Sequence, residues 1–277
     1  MQRVTTPDGN QVAVHDFGGT GPTLLLAHAT GFHGRVWAPV AAQLGFRCVA
    51  FDERGHGDSD PAPGGDYDWH GFATDALAVI DGLDLGGPVL AAGHSCGGAL
   101  LLLAEERRPG TFGALWTYEP VMIPAEGLPT LPVQGENPLA AGARKRRPSF
   151  ASKQAAFDNY AGKPPFSALD AAALRAYVEH GFAEQPDGSV RLKCEPESEA
   201  RTYEMGMRHD AFDGLPKVEC PVTVVCGEVT DAFPEPVITM VAARLPKGRP
   251  EVLAGLGHFG PLQDPSAVAA SIEAALG

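Results

Sequence analysis

"PVLAAGHSCGG", residues 88–98, runs from a short apolar stretch through a serine and a cysteine set among three glycines into a segment with helical spacing, Gly97 to Arg107. The apolar stretch reads as a buried strand and the following segment as a helix stopped by Pro109-Gly110. Gly93, Ser95 and Gly97 then form G-x-S-x-G at a strand-to-helix turn. Such a turn forces its central residue into a strained, side-chain-exposing conformation, and the flanking glycines remove Cβ atoms that would collide. Only Ser95 has this spacing, because His94 and Gly98 flank Cys96 at the same distance. Cys96 instead offers its backbone N–H at the helix N-terminus, where a developing oxyanion could be stabilised.

Working outward, "TLLLAHA" (residues 23–29), "FRCVAFD" (46–52) and "ALWTYEP" (114–120) are further short apolar runs with the look of strands buried on both faces. Helical spacing over residues 37–44 and 69–83 separates them, so strands alternate with helices and a parallel sheet with right-handed crossovers is expected. "RVTTPDGNQVAVHDFG" alternates around Asp8-Gly9 and predicts an opening hairpin. The rhythm breaks over 121–215, where prolines, glycines and short amphipathic pieces predict an inserted, mainly helical cap. It resumes with "PVTVVCGE" (221–228), a helix near 235–245, "PEVLAGL" (250–256) and a last helix over 265–276. The expected organisation is therefore α/β, with residues 1–120 and 216–277 forming one core and 121–215 the cap.

The chain has 277 residues and a formal charge of −13, which opposes binding to nucleic acid or an anionic membrane surface. No stretch approaches the roughly 18 apolar residues of a membrane span. The N-terminus has no apolar signal region. Five scattered cysteines fit reduced thiols in a cytoplasmic protein. No C-x-x-C pair, H-E-x-x-H, dinucleotide fingerprint or P-loop is present, so no metal and no cofactor is expected. The partner expected is a small-molecule substrate, and the sequence leaves room for a homodimer.

Serine needs a base to take its proton. "GLGHFGPLQDP" (255–265) supplies His258 in a glycine-rich loop after the last predicted strand. His28 and His56 lie in tight turns and are expected to bond local backbone, whereas His94 adjoins Ser95 and is poorly placed to face it. His209 stands where the cap returns to the core. Phe32 and His209 are the candidate substrate-binding residues, and aromatic residues of the cap, such as Tyr160, Phe166 and Tyr177, suggest an apolar pocket roof. "ARKRR" (143–147) reads as a solvated positive helix face, with recruitment of an anionic group as its minority alternative.

These stretches, together with "HATGFHGRVW" (28–37) and "FDERGHGDSD" (51–60), resemble the α/β-hydrolase superfamily over nearly all of the chain outside the cap. That resemblance implies an α/β-hydrolase fold, a mostly parallel central sheet flanked by helices, and the chain order serine, acid, histidine. It implies that Thr30 and Cys96 supply the oxyanion-hole N–H groups, and that Asp52, Arg54 and Gly55 shape a turn rather than react. Asp231, after "PVTVVCG", is the first choice for the acid. Glu119 is its rival, because some relatives, including lactone hydrolases acting on zearalenone, take the acid from that strand end. The activity implied is that of a serine hydrolase cleaving an ester or lactone of a small, largely apolar substrate. Carbon-carbon bond hydrolysis, cofactor-free oxygenation, acyl transfer, or ligand capture by a non-catalytic receptor are the alternatives.

Overall fold

The computed structural model describes residues 1–125, 127–128, 137–206 and 208–277. In chain order the strands are β1 (Gln2–Thr5), β2 (Gln11–Gly18), β3 (Thr23–Ala27), β4 (Arg47–Phe51), β5 (Val89–His94) and β6 (Phe112–Tyr118). They continue with β7 (Ser149–Phe150), β8 (Phe182–Glu184), β9 (Val190–Leu192), β10 (Val222–Gly227) and β11 (Gly248–Leu253). Eight of them form one sheet in the order β1-β2-β4-β3-β5-β6-β10-β11. β1 and β2 pair antiparallel, with Gly9 at φ 87° in the turn, and β2 pairs antiparallel with β4. From β4 through β11 every pairing is parallel. This is the α/β-hydrolase architecture, and the hairpin lies where the Asp8-Gly9 alternation predicts it.

The sheet is buried on both faces, which is why its strands read as continuous apolar runs. Leu24 and Leu26 face one core with Trp37, Trp116 and the helix Pro265–Leu276, whereas Leu25 and Ala27 face a second core with Trp69, Phe72 and the helix Cys96–Arg107. Each fully buried leucine contributes about 1.5–3 kcal/mol through loss of apolar surface from water. Asp68 caps the helix Trp69–Gly82 through the His70 N–H (2.8 Å), and Asp264 caps Pro265–Leu276 through the Ser266 and Ala267 N–H groups.

Between β6 and β10 the described residues form four helices of seven residues or more: Pro138–Arg144, Lys153–Ala161, Ala171–Gly181 and Pro196–Met205. They also form a separate antiparallel sheet, β7-β9-β8, which the sequence does not announce. Strands of two or three residues are too short to show an alternating pattern. Lys193–Asp58 (2.6 Å), Tyr67 to Ser198 (2.7 Å) and the Trp69 indole to the Thr202 carbonyl (3.1 Å) tie this segment to the core. Among the described residues, no helix is long and apolar enough to cross a membrane.

In the sheet β3 lies between β4 and β5, so the crossover from β3 to β4 runs one way along the sheet and the crossover from β4 to β5 runs back past β3. Crevices at the carboxyl ends of strands beside such a reversal are where ligands bind in open α/β sheets. The loop after β3 and the turn after β5 meet there.

Candidate active site

Ser95 is the hinge between β5 and the helix Cys96–Arg107, with φ 55° and ψ −113°. A non-glycine residue held in such a conformation costs on the order of 1–3 kcal/mol. The turn is over-determined. The Ser95 N–H donates to the Tyr118 carbonyl (2.8 Å) and the Gly97 N–H to the His28 carbonyl (3.0 Å). A Cβ at Gly93 would lie 2.6 Å from the Gly97 carbonyl, and one at Gly97 would lie 2.4 Å from the Ala27 carbonyl oxygen. Ser95 keeps 8% of its surface accessible, whereas Cys96 keeps none. Burial pushes the Cys96 thiol well above its ordinary value, so it is a neutral packing group beside Thr30 and Glu53.

The loop after β3 is fixed by its own histidine. His28 Nδ1–H donates to the Ala29 carbonyl (2.8 Å), and Nε2 accepts the Glu53 N–H (3.0 Å). Burial lowers its pKa to about 3, which keeps the ring neutral, and the two bonds fix its tautomer. His56 likewise bonds local backbone, the Arg54 carbonyl at 3.1 Å. Among the described residues, neither the Thr30 nor the Cys96 N–H donates to a protein acceptor. Two free donors beside the serine are what an oxyanion site requires.

His258 follows β11. Its Nδ1 lies 2.7 Å from Glu119 Oε2. Glu119 is wholly buried at the end of β6, has φ 45°, and is anchored by its N–H to the Val225 carbonyl (2.7 Å). Its other donors are the Gly227 N–H (3.1 Å) on Oε1 and the Thr230 hydroxyl (2.9 Å) on Oε2. The carboxylate against the histidine is therefore Glu119 and not Asp231. Asp231 is exposed, one residue beyond the threonine whose hydroxyl turns in. The turn after β10 supplies hydrogen-bond donors to the acid rather than an acid of its own. Thr230 and Gly227 are site residues that the sequence reading misses, because nothing in "CGEVTD" says which way a threonine faces.

The turn after β4 is structural, as the resemblance implies. Asp52 accepts from the Gly34 and Asp58 N–H groups (both 2.7 Å) and lies 2.9 Å from His15 Nε2, while Arg54 forms a two-bond pair with Asp75 (both 2.7 Å). His15, Asp52 and Asp58 bring three potential metal donors within 4.8 Å of one another. His15 and Asp58 already have partners, however: Asp52 for the first and the Lys193 ammonium for the second.

Phe32 packs on Phe259 (5.7 Å), the residue after His258, and on Phe166 (5.8 Å) and Tyr177 (5.2 Å), so the aromatic cluster of the inserted segment reaches the histidine loop. His209 stacks on Trp69 at 4.8 Å, with its Nε2 buried and without a partner, and burial lowers its pKa to about 4. The positive run divides. Arg144, Lys145 and Arg147 are exposed, and Arg144 pairs with Glu197 and Glu204. Arg146 turns inward onto Glu199, Tyr160 and Tyr177, a largely buried ion pair where a solvated face is expected.

A model of the alpha/beta hydrolase family matches residues 24–271. The chain is 27% identical over 244 residues to 2-(acetamidomethylene)succinate hydrolase of Mesorhizobium japonicum, covering 87% of this chain and 83% of that protein. It is 26% identical over 266 residues to the non-heme chloroperoxidase CPO-A1 of Kitasatospora aureofaciens, covering 93% and 92%. The crystal structure of E-2-(acetamidomethylene)succinate hydrolase superposes with a TM-score of 0.84 at 24% identity, covering 99% of this chain and 98% of that one. A thermophilic esterase from Thermogutta terrifontis superposes at 0.75 with 22% identity, covering 99% and 97%. With a strained serine turn, an imidazole on a buried carboxylate, and a family model that runs from β3 to the last helix, the chain belongs to the alpha/beta hydrolase family.

Proposed function

We propose that the protein is a serine hydrolase that cleaves a carboxylic ester or lactone of a small substrate through an acyl-enzyme. The observation that carries this reading is the His258–Glu119 bond of 2.7 Å on the strand neighbouring the Ser95 turn. Ser95 Oγ attacks the carbonyl carbon while His258 Nε2 takes its proton. Glu119 holds Nδ1 protonated and stabilises the imidazolium that forms. The Thr30 and Cys96 N–H groups stabilise the tetrahedral oxyanion, a contribution worth about 10²- to 10³-fold in rate for one such donor. Collapse expels the alcohol, which leaves with the proton from His258. Water then attacks the acyl-enzyme with His258 as base, and the acid is released with Ser95 restored. Phe32 and His209 are proposed to line the substrate space, and no metal or cofactor takes part in any step.

A second reading is hydrolysis of an amide in a small organic acid. It is favoured by the similarity, over most of both chains, to a relative whose name specifies an acetamido compound. A panel of activated esters, lactones and acetamides separates the two. Ser95→Ala is expected to abolish turnover and labelling by a fluorophosphonate probe. Undiminished turnover with retained labelling would refute both readings.

A further inference from the structure

The loop that carries His258 is gripped by two side chains that the proposed chemistry does not use. His94 Nε2 donates to the backbone carbonyl of His258 itself (2.8 Å), and the Tyr118 hydroxyl donates to the carbonyl of Gly257 (2.7 Å). Consecutive carbonyls of the loop are thus each taken by a side-chain donor, and the Gly257 carbonyl also accepts the Gly260 N–H (3.0 Å). His94 and Tyr118 are the last residues of β5 and β6 and lie opposite each other in the ladder. Ser95 follows the first and Glu119 follows the second. Directly paired residues on adjacent strands point to the same face. One strand register therefore sets four groups at once: serine and carboxylate, and one residue before each, the two donors on the histidine loop.

The surroundings are built around these donors. The His94 ring stands edge-on to Tyr118 (5.7 Å, 81°) and 5.1 Å from the His258 ring. A Cβ at Gly260 would come within 2.2 Å of the Tyr118 hydroxyl, and one at Gly227 within 2.7 Å, so both glycines are needed for that hydroxyl to reach Gly257. Burial, with the neighbouring His258 adding to it, holds His94 well below the usual imidazole range. A carbonyl only accepts, so the proton of neutral His94 sits on Nε2.

We propose that His94 is a positioning residue for His258: its bond to the His258 carbonyl, together with Tyr118 on Gly257, fixes the loop turn that aims Nδ1 at Glu119. This rests on the reading of Ser95 and His258 as nucleophile and base. His94→Leu removes the donor, and His94→Gln keeps an N–H near the Nε2 position. The readouts are kcat and KM on an ester that the wild type turns over, and the downfield proton resonance of His258 Nδ1–H, assigned by its loss in Glu119→Gln. For His94→Leu the expected result is a fall in kcat of roughly 10- to 100-fold, the scale of a slightly misplaced group. KM should stay nearly constant and the resonance should shift or broaden. His94→Gln should recover most of kcat and keep the resonance. An unmoved resonance with wild-type kcat in His94→Leu, or a glutamine variant as impaired as the leucine one, overturns the proposal. If the leucine variant does not fold, Tyr118→Phe removes the second bond alone. Its resonance and kcat must then move in the same direction, and unchanged values again overturn the proposal. The resonance is read in the resting protein, so a wild type that shows it but never reacts with fluorophosphonate counts against the proposed function and not against the grip on the loop.

Discussion

Glu119→Gln exchanges a carboxylate for an amide of nearly the same shape, and the geometry says what must follow. Oε1 accepts the Gly227 N–H at 3.1 Å, and a backbone donor cannot turn round, so the glutamine oxygen stays there. The new NH₂ then faces the Thr230 hydroxyl at 2.9 Å, which can rotate to accept, and His258 Nδ1 at 2.7 Å. Two N–H groups cannot share that distance. The imidazole is driven to the opposite tautomer, with its proton on Nε2, the nitrogen that should receive the proton of Ser95. Loss of the correct tautomer in this way costs about 10⁴-fold in kcat, or about 5.5 kcal/mol of barrier. The assay is steady-state hydrolysis of an activated ester beside thermal unfolding. A fall in kcat of about 10³- to 10⁴-fold with little change in KM is expected. Asp231→Asn, an exposed change, should stay within about twofold. A silent Glu119→Gln together with a crippling Asp231→Asn would refute the assignment.

Gly97→Ala places a methyl group 2.4 Å from the Ala27 carbonyl oxygen, and overpacking of this kind destabilises by about 1–3 kcal/mol, measurable by chemical denaturation. The buried histidines give acid sensitivity. Burial holds His33 near pKa 4, whereas an unfolded imidazole titrates near 6.5. The unfolded state therefore binds a proton that the folded state refuses between those values. The stabilisation is complete above about pH 6.5 and is lost as pH falls toward 4, by about 2 kcal/mol per such group at pH 5. His33→Gln, which keeps a donor for the Tyr177 carbonyl, should make unfolding free energy between pH 7 and 5 less steep by about one proton. An unchanged slope would show that His33 is not one of the groups responsible.

The fold was legible because the hydrophobic effect writes it locally. Leu24 to Leu26 are buried on both faces and read as a central strand, and the Gly93 and Gly97 spacing announces a turn that only glycine permits. The placement of Ser95 and His258 was legible for the same reason, both being tied to strand ends. The acid was not. Asp231 and Glu119 both follow strands that run to the same edge, and the choice depends on which carboxylate the register of β6 against β10 turns toward the imidazole. Arg146 was misread because its partners, Glu199, Tyr160 and Tyr177, are 14 to 53 residues away in sequence. His94 was set aside because it cannot face Ser95, and it engages instead the loop 164 residues downstream.

Drawing the carboxylate from β6 has a bearing on how this scaffold tolerates change. β6 is an interior strand, laced to neighbours on both edges, so the acid inherits the stiffness of the sheet. On the proposed reading Asp231, exposed past the inward-turned threonine, carries no catalytic duty. Side-chain substitutions should be accommodated at that position, whereas Phe233, two residues on, is buried in the core with its ring 6.2 Å from that of His258.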